Sequence, residues 1–168
     1  MIENPRYRVV LAKEDFKFSA AHFTLFPDGT AELLHGHNYH VTIEVAGESL
    51  DDYGMLCDFV RLKTAIREIC EHLDSRTLIP AQSPHISVSQ DAGSVRVIYG
   101  HRQYQLPRED VLILELANTT IELLAAMLWQ QLAPRVEDSQ VTHLGIAVAE
   151  TAGQSCWFRQ PLRPTAQS

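Results

Sequence analysis

Three histidines, His22, His35 and His37, stand where a strand-loop-strand stretch could bring their imidazoles together. Two lie in "LLHGHNYH", residues 33–40, and the third closes "FSAAH", residues 18–22. Side chains two apart on a strand share a face, so His35 and His37 project together with Tyr39, Val41, Ile43 and Val45. His22 shares a face with Phe16, Phe18 and Ala20, whereas His40 has the opposite parity. Three convergent neutral imidazoles without a fourth protein ligand describe a catalytic Zn2+ site whose open position takes water or substrate oxygen. The plainer alternative is a set of histidines satisfied by hydrogen bonds, and a lone His-x-His would favour it. Adding His22 shifts the balance to metal, because three polar rings on an inner face are costly to leave unused.

The elements that must position these rings follow from periodicity. Residues 6–22 contain a period-two strand, and a second runs through Tyr39, Val41, Ile43 and Val45 after the turn-like "PDG" at 27–29. The two are predicted to form an antiparallel pair joined by a loop over 23–34. "DFVRLKTAIREICEHL" reads as a helix over 58–73 behind an Asp58 N-cap, with Phe59, Leu62, Ile66, Ile69 and Leu73 inward. A second helix begins near Thr119, where "TTIE" forms a capping box with Glu122, and puts Ile121, Leu124, Leu128 and Leu132 on one face. The segment at about 80–112 reads as an inserted hairpin. "VTHLGIAVAE" and "SCWFRQ" read as two strands joined by "TAGQ", and "PLRPTAQS" as a frayed tail. Strand pairs separated by helices that can cover one sheet face make an α+β layer.

Composition bounds the rest. With 168 residues, 45% hydrophobic and 21% charged, residues 1–168 fit a single domain with one core. The net charge of -7 and the lack of a Lys/Arg run argue against nucleic acid as a partner. The charged start "MIENPRYRVVLAKEDF" has no apolar signal region, and no apolar run approaches the ~20 residues that span a bilayer, so no membrane role and a cytoplasmic location are expected. Three cysteines in no CxxC pair read as buried free thiols.

Taken together, "FSAAH" at 18–22 and "LHGHNY" at 34–39 resemble the zinc-binding signature of the 6-pyruvoyl- and 6-carboxytetrahydropterin synthases. The likeness continues in "GMLCDFVRLK" at 54–63, "LD" at 73–74, "NTTIELLA" at 118–125 and "GIAVAET" at 145–151, and leaves out the insertion. The resemblance implies a tunnelling fold: a four-stranded antiparallel sheet with two helices on one face, assembled into a homotrimer or homohexamer with active sites between subunits. It implies that His22, His35 and His37 bind zinc, and that Glu150 and Thr120 bind a small-molecule pterin. A carboxylate suits the adjacent N–H donors of an aminopyrimidinone. Without the resemblance, Glu150 reads as a solvated strand-end charge and Thr120 as a member of the capping box.

Two positions depart from that pattern. The family's cysteine, four residues before the first histidine of HGH, is Ala31 here, and its Asp-His pair appears as Asp74 followed by Ser75. Glu32, next to Ala31, resembles a subgroup whose glutamate performs proton transfer while cleaving 7,8-dihydroneopterin triphosphate to 6-hydroxymethyl-7,8-dihydropterin for folate synthesis. Desolvation near a metal site can raise a carboxylate pKa, which would let Glu32 serve as base or acid, although zinc opposes that shift; the alternative is a solvated loop carboxylate. Glu32 and Asp74 are the candidate catalytic residues. The expected function is a zinc-dependent lyase of tetrahydropterin, queuosine or folate biosynthesis. The alternatives are a zinc-containing pterin-binding protein without lyase chemistry, or a zinc hydrolase acting on an unrelated small molecule. The inserted hairpin is expected near a subunit interface or the mouth of the active site.

Overall fold

A computed structural model describes residues 5–162. Ten strands occur in the order β1 (Tyr7–Leu11), β2 (Lys17–His22), β3 (His35–Gly47), β4 (Arg76–Pro80), β5 (Ser87–Gln90), β6 (Ser94–Tyr99), β7 (Arg102–Pro107), β8 (Val111–Leu114), β9 (His143–Thr151) and β10 (Gln154–Pro161). Helix α1 (Phe59–Leu73) lies between β3 and β4, and α2 (Ile121–Leu132) between β8 and β9. Most of the expected tail falls at 163–168, outside the described residues.

The main sheet has seven strands rather than four, in the order β10-β9-β3-β2-β4-β8, with β1 also paired to β3. It is mixed rather than antiparallel, because β2 with β4 and β4 with β8 run parallel. The long β3 takes β2 along its first half and β1 along its second, so the N-terminal strand region is two strands. The extra β4 and β8 are "RTLIP" and "VLIL", short apolar runs without alternation. Their neighbouring side chains enter opposite cores: Leu78 and Leu114 join the cluster under the helices, Ile79 and Val111 a second cluster. A strand buried on both faces carries no period-two signal, which is why these two escaped detection.

Both helices pack on the face that carries Phe18, Tyr39, Val41, Ile43, Leu144, Ile146 and Val148. The side chain of Asp58 accepts from the N–H groups of Val60 and Arg61 and starts α1 as expected. The cap of α2 is Thr120 rather than Thr119, its hydroxyl accepting from the N–H of Leu123. Thr119 is instead fully buried.

The insertion is a three-stranded antiparallel meander, β5-β6-β7, rather than a hairpin. Its Val95 and Val97 pack with Phe23, Leu25, Ile79 and Val111, against which Ala31 and Leu34 also lie. The insertion therefore sits on the loop between β2 and β3.

Candidate metal centre and active site

The antiparallel register of β2 and β3 sets His22 opposite His35, Ala20 opposite His37 and Phe18 opposite Tyr39. Cross-strand neighbours on one face stand about 4.5–5.5 Å apart, close enough for imidazoles to share a ligand. The ring centroids of His22 and His35 are 4.8 Å apart, those of His35 and His37 4.8 Å, and those of His22 and His37 5.3 Å. One nitrogen from each ring can be chosen so that all lie within 4.8 Å of one another.

Two of the three rings have their outer nitrogens fixed by backbone carbonyls. His22 Nδ1 lies 3.1 Å from the Thr119 carbonyl, and His35 Nδ1 lies 2.7 Å from the Leu33 carbonyl. A carbonyl only accepts, so each Nδ1 carries the hydrogen and each Nε2 presents its lone pair. His22 Nε2 is buried and has no hydrogen-bond partner among the described residues. His35 Nε2 and His37 Nε2 are 3.0 Å apart, a distance at which two lone pairs repel unless a proton or a cation lies between them. Tetrahedral zinc with bonds near 2.0–2.1 Å sets its nitrogens about 3.3 Å apart. The donor set therefore fits zinc. Burial, with the His35 and His37 charges adding, pushes the His22 imidazole down to about 4, which keeps it neutral and able to ligate.

Glu32 reaches this cluster from the β2–β3 loop. Its Oε2 lies 4.0 Å from His35 Nε2 and accepts the Thr24 N–H at 3.0 Å, while its own N–H donates to the Thr24 carbonyl. Burial pushes its carboxyl up, but the bonds from Thr24 and the charges of His35 and His22 outweigh that and leave it below the ordinary value. The raised pKa that desolvation alone suggests does not appear, so the resting group is a carboxylate, suited to accept a proton rather than donate one. Ala31 turns to the other side, lining a cleft of 440 Å³ with His85, Tyr99, His101 and Arg102.

The β3–β9 register begins with His40 opposite Ala149, and Glu150 has the parity of the inward Leu144, Ile146 and Val148. Half-buried Glu150 thus shares the inner face with His37 and Tyr39, and its charge is felt by the Tyr39 phenol. Thr120 caps α2 directly after Thr119, the residue that fixes His22. Asp74 is not brought to the cluster within the chain. Its carboxylate accepts the Ser19 N–H at 2.6 Å and the Ser75 hydroxyl at 2.9 Å, and these bonds hold it below the usual range.

Sequence reasoning missed the residues that aim the site. Thr119 holds His22 and donates its hydroxyl to the Phe23 carbonyl, Asn118 clamps both backbone groups of Leu25, and Arg102 bonds the Glu32 carbonyl at 2.7 Å. "NTTIELLA" marked the first two as part of a motif but not their roles; nothing in the sequence marked Arg102.

A family model described as 6-pyruvoyl tetrahydropterin synthase matches residues 11–161. A putative 6-carboxy-5,6,7,8-tetrahydropterin synthase of Methanocaldococcus jannaschii is 30% identical over 149 residues, 87% of this chain and 91% of that protein. The 6-carboxy-5,6,7,8-tetrahydropterin synthase of Bacillus subtilis is 31% identical over 147 residues, 87% of this chain and 82% of that protein. The 6-pyruvoyl tetrahydropterin synthase of Plasmodium falciparum superposes with a TM-score of 0.87 at 26% identity, covering 94% of this chain and 99% of that one. A Plasmodium vivax 6-pyruvoyltetrahydropterin synthase, described as a catalytic-residue mutant with glutamate changed to alanine, has the same fold: TM-score 0.87, 22% identity, 92% and 98% covered. Motif, fold and relatives agree, and the chain belongs to the 6-pyruvoyl tetrahydropterin synthase family.

Proposed function

We propose that this protein is a zinc-dependent lyase acting on 7,8-dihydroneopterin triphosphate or a close relative, giving a 6-pyruvoyl-, 6-carboxy- or 6-hydroxymethyl-type pterin. The observation that carries the reading is the buried, partnerless His22 Nε2 beside the Nε2 atoms of His35 and His37. Zinc held by His22, His35 and His37 would polarise the substrate's side-chain oxygens and so acidify the adjacent C–H bonds. Glu32, ionised at rest, takes the released proton. The description of the Plasmodium vivax protein, in which a glutamate is a catalytic residue, supports a carboxylate in this role.

Glu150 accepts two N–H groups of the pterin ring side by side from its place next to Tyr39. The Thr120 oxygen is occupied by the Leu123 N–H, which leaves the hydroxyl hydrogen to donate to the ring. Asp74 assists only where a second copy completes the site, the arrangement the family resemblance implies. Homotrimeric or homohexameric assembly would also cover the edges at β10 and β8, which no strand among the described residues pairs. No helix among the described residues is long and apolar enough to cross a membrane.

The test incubates zinc-loaded protein with 7,8-dihydroneopterin triphosphate and identifies the product by mass spectrometry. The expected result is turnover that scales with bound zinc, and a Glu32→Gln protein that keeps its zinc but slows by roughly 10²–10⁴-fold, the usual worth of a positioned base. Failure to consume the substrate at any pH with zinc fully bound overturns the lyase reading. Tight pterin binding under those conditions would identify a binding protein instead.

A further inference from the structure

Among the described residues, one side chain of the inserted sheet, Arg102, hydrogen-bonds the functional loop, and its shorter bond falls on the candidate base. Arg102, the first residue of β7, donates from Nη1 to the Glu32 carbonyl at 2.7 Å and, more weakly, to the Ala31 carbonyl at 3.5 Å. The loop's outgoing limb is held independently by Asn118 on Leu25 and Thr119 on Phe23. Its returning limb has the Leu25–Ala31 bridge, the Glu32 N–H on Thr24, and Arg102. Arg102 is itself carried by a sheet packed on the same loop, with Tyr104 stacked on Phe23 at a centroid distance of 5.8 Å.

We infer that Arg102 is a positioning residue for Glu32, and that the inserted sheet serves as a buttress for the catalytic loop. The inference rests on Glu32 being the base. A hydrogen bond from a guanidinium is about twice as strong as a neutral one, and Arg102 places it on the peptide that carries the Glu32 side chain. With that bond made, the Glu32 carboxylate stays beside His35; without it, position 32 is held only by its two bonds to Thr24 and the following peptide loses its tie to the inserted sheet, so the carboxylate shifts from the geometry proton transfer needs, where misplacement by about 1 Å can cost 10²-fold. The zinc-binding nitrogens come from β2 and β3 and do not depend on Arg102.

The experiment compares wild type, Arg102→Met, Arg102→Lys, Glu32→Gln and the Glu32→Gln/Arg102→Met double variant as full-length, zinc-loaded proteins. Arg102→Met is expected to lower kcat for 7,8-dihydroneopterin triphosphate at least tenfold with KM changed less than threefold and zinc content unchanged. Arg102→Lys should recover part of the rate, and Arg102→Met should add nothing in the Glu32→Gln background, as expected of two residues acting through one group. Hydrogen exchange of the metal-free proteins supplies a second readout: amides of residues 29–34 should exchange at least tenfold faster in Arg102→Met, while those of β2 and β3 keep their rates. Unchanged exchange in 29–34, or an equal rate loss in both backgrounds, overturns the positioning role. A slow Glu32→Gln beside a wild-type Arg102→Met rejects this inference alone. A fully active Glu32→Gln rejects the base assignment, and the inference with it.

Discussion

Replacing Tyr39 by Phe is expected to stabilise the metal-free protein. Tyr39 is 0% exposed, and its hydroxyl has no hydrogen-bond partner among the described residues. The ring itself is well held, stacked on Phe18 at 4.8 Å and edge-on to His22 and His37 at 5.8 Å. Burial pushes the phenol far above its usual value, with the Glu150 and Glu32 charges adding to the effect. Deleting one oxygen leaves every ring contact in place and removes an unpaired hydroxyl whose burial costs roughly 1–3 kcal/mol. Loss of the oxygen's own contacts offsets part of this, so a net gain of about 1 kcal/mol follows, or about 2–4 °C in Tm for a chain of this size. The assay is paired thermal and denaturant unfolding with chelator present, and an unchanged denaturant slope is required for a valid comparison. A loss of 1 kcal/mol or more would refute the reasoning, since it would mean the hydroxyl is satisfied in the folded protein.

Gly47→Ala should be among the most damaging single substitutions. A Cβ there would lie 2.0 Å from the Gln140 carbonyl oxygen and 2.9 Å from Leu56 Cδ1. Because the first obstacle is backbone, the cost should reach or exceed the ~1–3 kcal/mol typical of overpacking, and soluble yield and Tm should fall together. Burial pushes the Cys57 and Cys70 thiols up to about 12, helped by Asp138 and Asp58 for the first and Asp15 and Asp74 for the second. Thiols of the unfolded chain ionise near 9.0, so the stability these groups contribute is intact below that pH and is lost as pH rises from 9 towards 12. Denaturant midpoints at pH 8 and pH 10.5 should show the decline, and half-buried Cys156 should react with a thiol reagent ahead of the other two.

The convergence of His22, His35 and His37 was legible because it depends on strand parity and one register. Phe16, Phe18, Ala20 and His22 are all buried, as are Tyr39, Val41, Ile43 and Val45, so the inner face ran as the alternation required. Both helices were legible from their 3.6-residue spacing, and α1 also from its Asp58 cap. What escaped was whatever lacks a period. The strands β4 and β8 are covered on both faces and show no alternation, and the choice between Thr119 and Thr120 as cap turned on which of two adjacent hydroxyls His22 and Phe23 would draw inward.

The parts of the site that sequence could not supply are its longest-range contacts. Thr119 meets His22 across 97 residues, Asn118 meets Leu25 across 93, and Arg102 meets Glu32 across 70. Parity decides which side chains face inward, but only these distant partners decide where the β2–β3 loop stops. Adjacent residues of an extended segment point to opposite sides, so the loop can offer either position 31 or position 32 to the histidines, not both. The Leu25–Ala31 bridge and Arg102 settle that choice, sending Ala31 towards the inserted sheet and Glu32 to within 4.0 Å of His35 Nε2. In this loop a cysteine placed at position 31 would face His85, Tyr99 and His101 rather than His22, His35 and His37. The departure at Ala31 and the glutamate beside it are therefore one feature: the loop's phase turns Glu32 to the three histidines and leaves its neighbour to packing.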